Sequence, residues 1–361
     1  MRLLILRQAV VSMDRDRIGQ RLVAVSVAAV SVAVVLSLSI GATGITLSAL
    51  GRAVDAFLFG PSGAERSTEQ LVLLGIRLPR TLLGAFVGAA LAVSGAMMQG
   101  LFRNPLADPG IVGVSSGAAL AAVTTIALGN SLAAPWTRTF GVYALPFAAF
   151  CGGLLTTAIL MLIAGRRGQL MIGTLLLAGI AIGAISGALT GLIAYVSDDR
   201  DLRDLTLWSM GSLSGASWPK VVAILPFAAA LAVVLPRVIR ALNGFLLGEA
   251  EAFHLGIDVE RTKWLIIFTT AASVGAAVAV AGIVGFVGIV VPHFVRLVAG
   301  PDHRFVLPCS ALLGATLVLI ADVIARMIVR PAELPLGIVM AAIGAPVFLH
   351  IVLRRGIGGL E

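Results

Sequence analysis

Few residues in this chain have the types and spacing that chemistry needs. Gly113-Val114-Ser115-Ser116-Gly117 fits the G-x-S-x-G pattern of a serine nucleophile, which requires a strand-to-helix elbow and a histidine base. Here the motif opens an apolar helix, where small residues serve packing. The four histidines, His254, His293, His303 and His350, are scattered without metal-ligand spacing. Only Lys220 and Lys263 are lysines; they follow Pro219 and Thr262, so neither belongs to a phosphate-binding loop. Asp322 is the one acid set well inside an apolar run, and Arg326 one turn later can neutralise it as an i, i+4 pair. Cys151 and Cys309 lie in apolar runs and read as buried free thiols. The chain therefore carries no visible means of hydrolysing ATP, and binds no metal or cofactor of its own by any recognisable motif.

The elements that must hold these residues are membrane helices. Of 361 residues, 59% are apolar and 12% charged, and the mean hydropathy is +1.04. A soluble domain carries about twice that charged fraction. A small soluble enzyme and a disordered chain are both excluded. The net charge of +8 comes from arginines placed between apolar blocks, a pattern of membrane topology and not of nucleic-acid binding. After a basic tail over 1–21, apolar runs long enough to cross a bilayer fall near 22–48, 80–102, 106–129, 140–165, 170–197, 219–239, 264–284, 285–300, 304–328 and 335–353. The expected architecture is an all-α polytopic membrane protein of about ten transmembrane helices, with one permease domain over 22–355 and a short tail over 356–361.

Sixteen basic residues fall on the side of the termini and ten on the other, which puts both termini in the cytoplasm. Several arginines nevertheless stay outside. Arg77 and Arg80 end Arg77-Leu78-Pro79-Arg80 at the mouth of the second span, and Arg326 and Arg330 do the same for the ninth. They suit either headgroup anchoring or a surface for an acidic partner. Val87–Gly95 returns as Val274–Gly282 with seven of nine positions identical. The copies lie on spans of opposite direction, as in the inverted repeats of transporters.

The longest polar insertion on the inner side is 243–263. Within it Leu247, Ala250, Phe253 and Leu255 alternate with charged positions between Gly248 and Gly256. Such a segment forms a short amphipathic helix, suited to a groove on another protein or to a solvated interface.

Taken together, Arg77-Leu78-Pro79-Arg80-Thr81, Ser94-Gly95-Ala96-Met97-Met98-Gln99, Asn104-Pro105-Leu106-Ala107-Asp108-Pro109-Gly110, Leu247-Gly248-Glu249, Pro301-Asp302-His303-Arg304 and Pro331-Ala332-Glu333-Leu334-Pro335-Leu336-Gly337 resemble the FecCD-type permeases. These are the membrane subunits of type II ATP-binding-cassette importers for iron siderophores, haem and cobalamin. The resemblance implies a homodimer in the bacterial inner membrane with the pathway at the subunit interface. Two ATPase subunits, which use ATP and Mg, would sit inside and a periplasmic binding protein outside. It also implies that Arg77, Arg80 and Arg326 face glutamates of the binding protein. Glu249–Gly256, with Leu247 and Gly248, would seat in the ATPase, and Asn104 and Leu106 would form a cytoplasmic gate. Ile172 and Gly173 stand where the family often has small hydroxyl residues, so the second gate is unassigned. The segment Tyr195–Gly215 looks most like the haem-importing branch, with Arg200 and Arg203 to steer propionates and Trp208 and Met210 to border a flat ligand. Siderophores and cobalamin are the alternatives, and an autonomous channel or secondary carrier is the alternative of another class.

Overall fold

The computed structural model describes residues 2–41, 51, 68–129, 131, 133–166, 169–329 and 331–357. Its apolar runs form ten principal helices: α1 (Arg2–Ser39), α2 (Leu78–Phe102), α3 (Val114–Leu128), α4 (Ala144–Ala164), α5 (Ile172–Val196), α6 (Trp218–Phe245), α7 (Val259–Ala281), α8 (Val287–Ala299), α9 (His303–Ile328) and α10 (Leu336–Ile357). Counting residues joined directly before them, seven are long and apolar enough to span a bilayer; α3, α8 and α10 are shorter apolar helices by the described residues. The chain is an all-α polytopic membrane protein. Its only strands among the described residues are a two-residue ribbon, β1 (Gly165–Arg166) and β2 (Gln169–Leu170), between α4 and α5.

The basic stretch expected as a separate tail continues α1 without a break, because nothing in it interrupts helical hydrogen bonding. Its Asp16 meets Arg304 of α9 at 3.2 Å. The end of the bundle where α1 begins is called the near end below, and the opposite one the far end. Arg330, residues 358–361 and the part of the first apolar run after Gly41 lie outside the described residues.

Helices start where short acids can cap them. Asp258, Asp302 and Asp198 accept hydrogen bonds from the first turns of α7, α9 and a short helix, Asp199–Ser209. The two echoing segments lie on α2 and α7, whose buried cores pack against each other. α2 also runs along α6, α8 and α9, while α3 pairs with α4. Small residues permit these approaches. A Cβ on Gly88 would fall on the Gly314 carbonyl oxygen, and one on Gly314 would fall on that of Gly88. The adjoining apolar runs 264–284 and 285–300 are divided at Gly282 (φ 72°) and Phe286 (φ 67°), which end α7 and start α8.

One reading of the sequence changes here and another is kept. Cys309 is buried, but Cys151 is exposed; both thiols are free. On α4 the inward positions include Ala149, Gly153, Thr157 and Leu160, and Cys151 lies about 200° round the helix from its neighbours Ala149 and Gly153. An apolar run in a membrane helix has a lipid side as well as a core side. The Ser115 motif, for its part, is the first turn of α3, preceded by a 3-10 turn and no strand. Gly117 there lies against Gly152 of α4, so the small residues serve packing.

Candidate functional site

At the near end, α6 runs out to Phe245 and the chain turns through Leu246–Gly248 into a short helix, Glu249–His254. Ala252 is fully buried beside Gly244 and Ile257. With that anchor in place, Leu247 (66%), Phe253 (68%) and Leu255 (60%) project into the open. Ala250 is also exposed, and Glu249 and Gly256 border a surface hollow with Asp258 and Glu260. The apolar teeth read from the sequence are thus displayed away from the bundle. Behind them, Lys263 of α7 is buried and holds Glu249 at 2.7 Å and Glu260 at 3.1 Å.

A second near-end network ties the helices above this segment. The Asn243 amide donates to Asp302 at 2.8 Å, and its oxygen takes the backbone N–H of His303 at 2.9 Å. Burial raises the proton affinity of Asp302, but the Arg304 guanidinium and N–H and the Asn243 amide outweigh it and hold the carboxyl below its ordinary range. Arg296 of α8 donates to Gln99 Oε1 and to the Ala96 carbonyl on α2. None of these partnerships was read from the sequence. Apart from Arg304 on Asp302, each joins residues far apart in the chain, which spacing does not reveal.

The loop after α2 carries Asn104 and Leu106. Arg103 closes α2 in the left-handed region (φ 49°), and Asn104 Oδ1 accepts the Leu106 N–H at 3.0 Å. Both Asn104 and Leu106 are exposed at the near end. Next to them the Asp108 carboxyl is pushed up by burial, against the hydrogen bond it accepts from the Gly110 N–H at 2.7 Å. Ile172 and Gly173 open α5 on the same end, and Gly173 has open space around it.

The far end brings Arg77, Arg80 and Arg326 together, but turned into the subunit. Arg80 donates from Nε and Nη2 to Asp322, at 2.8–3.1 Å, and clasps Glu333 with both terminal nitrogens at 2.9 and 3.0 Å. The expected i, i+4 pair is present as well, with Arg326 Nε 3.1 Å from Asp322. Asp322 is 1% exposed, so its charge is sustained by two guanidiniums and not by water. Arg77 donates to the carbonyls of Leu38 and Ser39, and Arg326 to that of Ile40. These carbonyls belong to the last turn of α1 and the residue after it, where the helix dipole also favours a cation. Docking alone does not describe these arginines. They join α1, α2 and α9.

Arg200 and Arg203 stand exposed on Asp199–Ser209, and neither forms an ion pair among the described residues despite four acids nearby. Trp208 borders a far-end cavity of about 290 Å³ with Lys220 and Ser214; Arg200, Arg203 and Met210 do not line it. Met210 instead accepts the Gly337 N–H at 2.9 Å, and Ser212 donates to Ala281 at 2.8 Å. Backbone contacts of this kind seat the segment on the ends of α7 and α10.

Comparison with known proteins agrees with this architecture. The FecCD transport family profile matches residues 29–354. The hemin transport system permease protein HmuU of Yersinia pestis is 46% identical over 79% of this chain and 84% of its own length. The cobalamin import system permease protein BtuC of Halobacterium salinarum is 45% identical over 81% of this chain and 76% of its own. The solved structure of an inward-facing metal-chelate-type ABC transporter superposes with a TM-score of 0.80 at 31% identity, covering 93% of this chain and 99% of that one. An all-α bundle of this arrangement, matched from α1 to α10, belongs to the FecCD transport family: the chain is a membrane-spanning permease subunit of an ATP-binding-cassette transporter.

Proposed function

We propose that this permease imports haem, receiving it at the far end from a periplasmic binding protein and releasing it at the near end under the drive of partner ATPases. The observation that carries the ATP-driven reading is the display of Leu247, Phe253 and Leu255 on a helix anchored by buried Ala252. Exposed apolar side chains at fixed spacing suit a groove on another protein. The near end is then cytoplasmic, in keeping with its larger share of basic residues. This chain binds no cofactor in that scheme; ATP and Mg belong to the partner. Phe253→Glu is expected to abolish copurification of the ATPase subunits, while the permease keeps its elution volume in detergent. Retained copurification would sink the assignment of this segment.

Asn104 and Leu106 act in this scheme as a cytoplasmic gate. Arg77, Arg80 and Arg326 form the rim that meets the binding protein. A carboxylate arriving from outside competes with Glu333, the partially exposed partner of Arg80. The haem reading rests on the segment Tyr195–Gly215. Arg200 and Arg203 are exposed with no ion pair among the described residues, and Trp208 and Lys220 border one cavity, so a flat apolar face and a cation meet there. Met210 helps seat that segment. Similarity to haem and cobalamin permeases is nearly equal, which keeps cobalamin as the second reading. Uptake of hemin and of cyanocobalamin into proteoliposomes holding the permease, its ATPase and its binding protein separates the two. Uptake by the permease alone would favour an autonomous carrier.

A homodimer is also part of this proposal. Gly183, Gly187 and Gly191 recur at four-residue spacing on α5, and a Cβ on any of them would meet nothing. Close helix approach in lipid uses such spacing. Gly187→Val is expected to shift the permease from dimer to monomer in light scattering, with its helical ellipticity kept. A dimer that persists would place the subunit interface elsewhere.

A further inference from the structure

The near-end helix Glu249–His254 lies between two glycines in the left-handed half of backbone space, Gly248 (φ 117°) and Gly256 (φ 78°), each with no neighbour within reach of a Cβ. Two such joints would absorb a push on this helix unless side chains carried it onward. Ala252 packs on α6, and one charged side chain leads to α7. Lys263, in the second turn of α7, has its side chain 5% exposed and bonds Glu249, the first residue of the short helix, at 2.7 Å. It also holds Glu260 at 3.1 Å. The other oxygen of Glu260 accepts the backbone N–H of Leu170 at 2.9 Å. Leu170 ends the β1–β2 ribbon, and α5 begins two residues later at Ile172. A second contact supports the same joint, since the Trp264 ring lies 3.7 Å from where a Gly165 Cβ would be.

We propose that Lys263 is the positioning residue that transmits displacement of the Glu249–His254 helix, through Glu260 and Leu170, to the start of α5. Resting on the ATP-driven reading above, it makes Lys263 the stiff joint between the displayed helix and the ribbon that leads into α5. The chemistry favours a stiff link. An ammonium withdrawn from water gains its stabilisation from the two carboxylates beside it, and letting either go leaves a buried charge short of a partner. Glu260 serves two masters with its two oxygens, so the ribbon cannot move apart from α7 without breaking a charge-assisted hydrogen bond. Coupling of this kind needs contiguous contacts with discrete arrangements, and the chain from Glu249 to Leu170 has no gap.

The test uses the full transporter with its ATPase and binding protein. Spin labels at Glu251→Cys on the short helix and Met171→Cys before α5, in a Cys151→Ala background, report their separation by pulsed paramagnetic resonance. The native link predicts one narrow separation that is kept with and without ATP. Lys263→Met and Glu260→Gln should each broaden it, and should lower hemin taken up per ATP hydrolysed about tenfold. Lys263→Arg should restore both, which a general packing defect at this site would not. Where Lys263→Met fails to assemble, Glu260→Gln decides, because it leaves the Lys263–Glu249 contact intact. A narrow separation and native uptake ratio in these variants would overturn the proposal. Absent ATP-dependent uptake in the unmodified protein would overturn the importer reading instead, and the label separation would still judge the link.

Discussion

Arg80→Met is expected to remove about 3–5 kcal/mol of stability, the range for deleting one partner of a buried ion pair. The carboxylate left behind, Asp322, is 1% exposed and retains only Arg326 from the original pair of guanidiniums. Glu333 is released at the same time, but its side chain is 36% exposed and water can serve it. Glu333→Gln should therefore cost less than about 1 kcal/mol, as for other partly exposed pairs. Thermal loss of helical ellipticity in detergent measures both. A second change, Asp322→Asn, on top of Arg80→Met should return part of the loss by removing the stranded charge. If Arg80→Met melts with the unmodified protein, the far-end cluster does not hold α2 to α9.

Gly88→Val is expected to be the most damaging change along the helix contacts. Its side chain would meet the Gly314 carbonyl, which is backbone and cannot rotate away. α2 and α9 would have to separate, and overpacking that flexible side chains could absorb for about 1–3 kcal/mol should here exceed that range. The same separation lengthens Arg80–Asp322, so the two effects compound. Gly88→Val should yield little monodisperse protein on size exclusion, and Gly88→Ala an intermediate amount with a lowered melting temperature. Native yield from Gly88→Val would show that this contact can open freely.

The spans were legible because apolar length is a property of composition, and ten apolar runs became ten helices. The α7–α8 break was harder to see. Val280–Val291 is apolar on both sides of it, and the decisive signal is backbone sign at Gly282 and Phe286. Local pairs could be read directly, as Asp322 and Arg326 show. Arg80 and Glu333 could not, being 253 residues apart, nor could Arg77, whose acceptors are carbonyls defined by where α1 stops. The near-end teeth were read from spacing alone. Their support, Lys263, was visible only as a rare lysine with a glutamate three residues before it.

The capping of α1 by arginines from α2 and α9 has a bearing on biogenesis. The described part of the first helix ends in carbonyls whose donors come from elsewhere in the chain. Arg77 reaches Leu38 and Ser39 soon after, but Arg326 reaches Ile40 only when most of the chain has been synthesised. Until then the Ile40 carbonyl lacks that donor. The cap of the first helix is thus shared between a residue made just after it and one made near the end of synthesis.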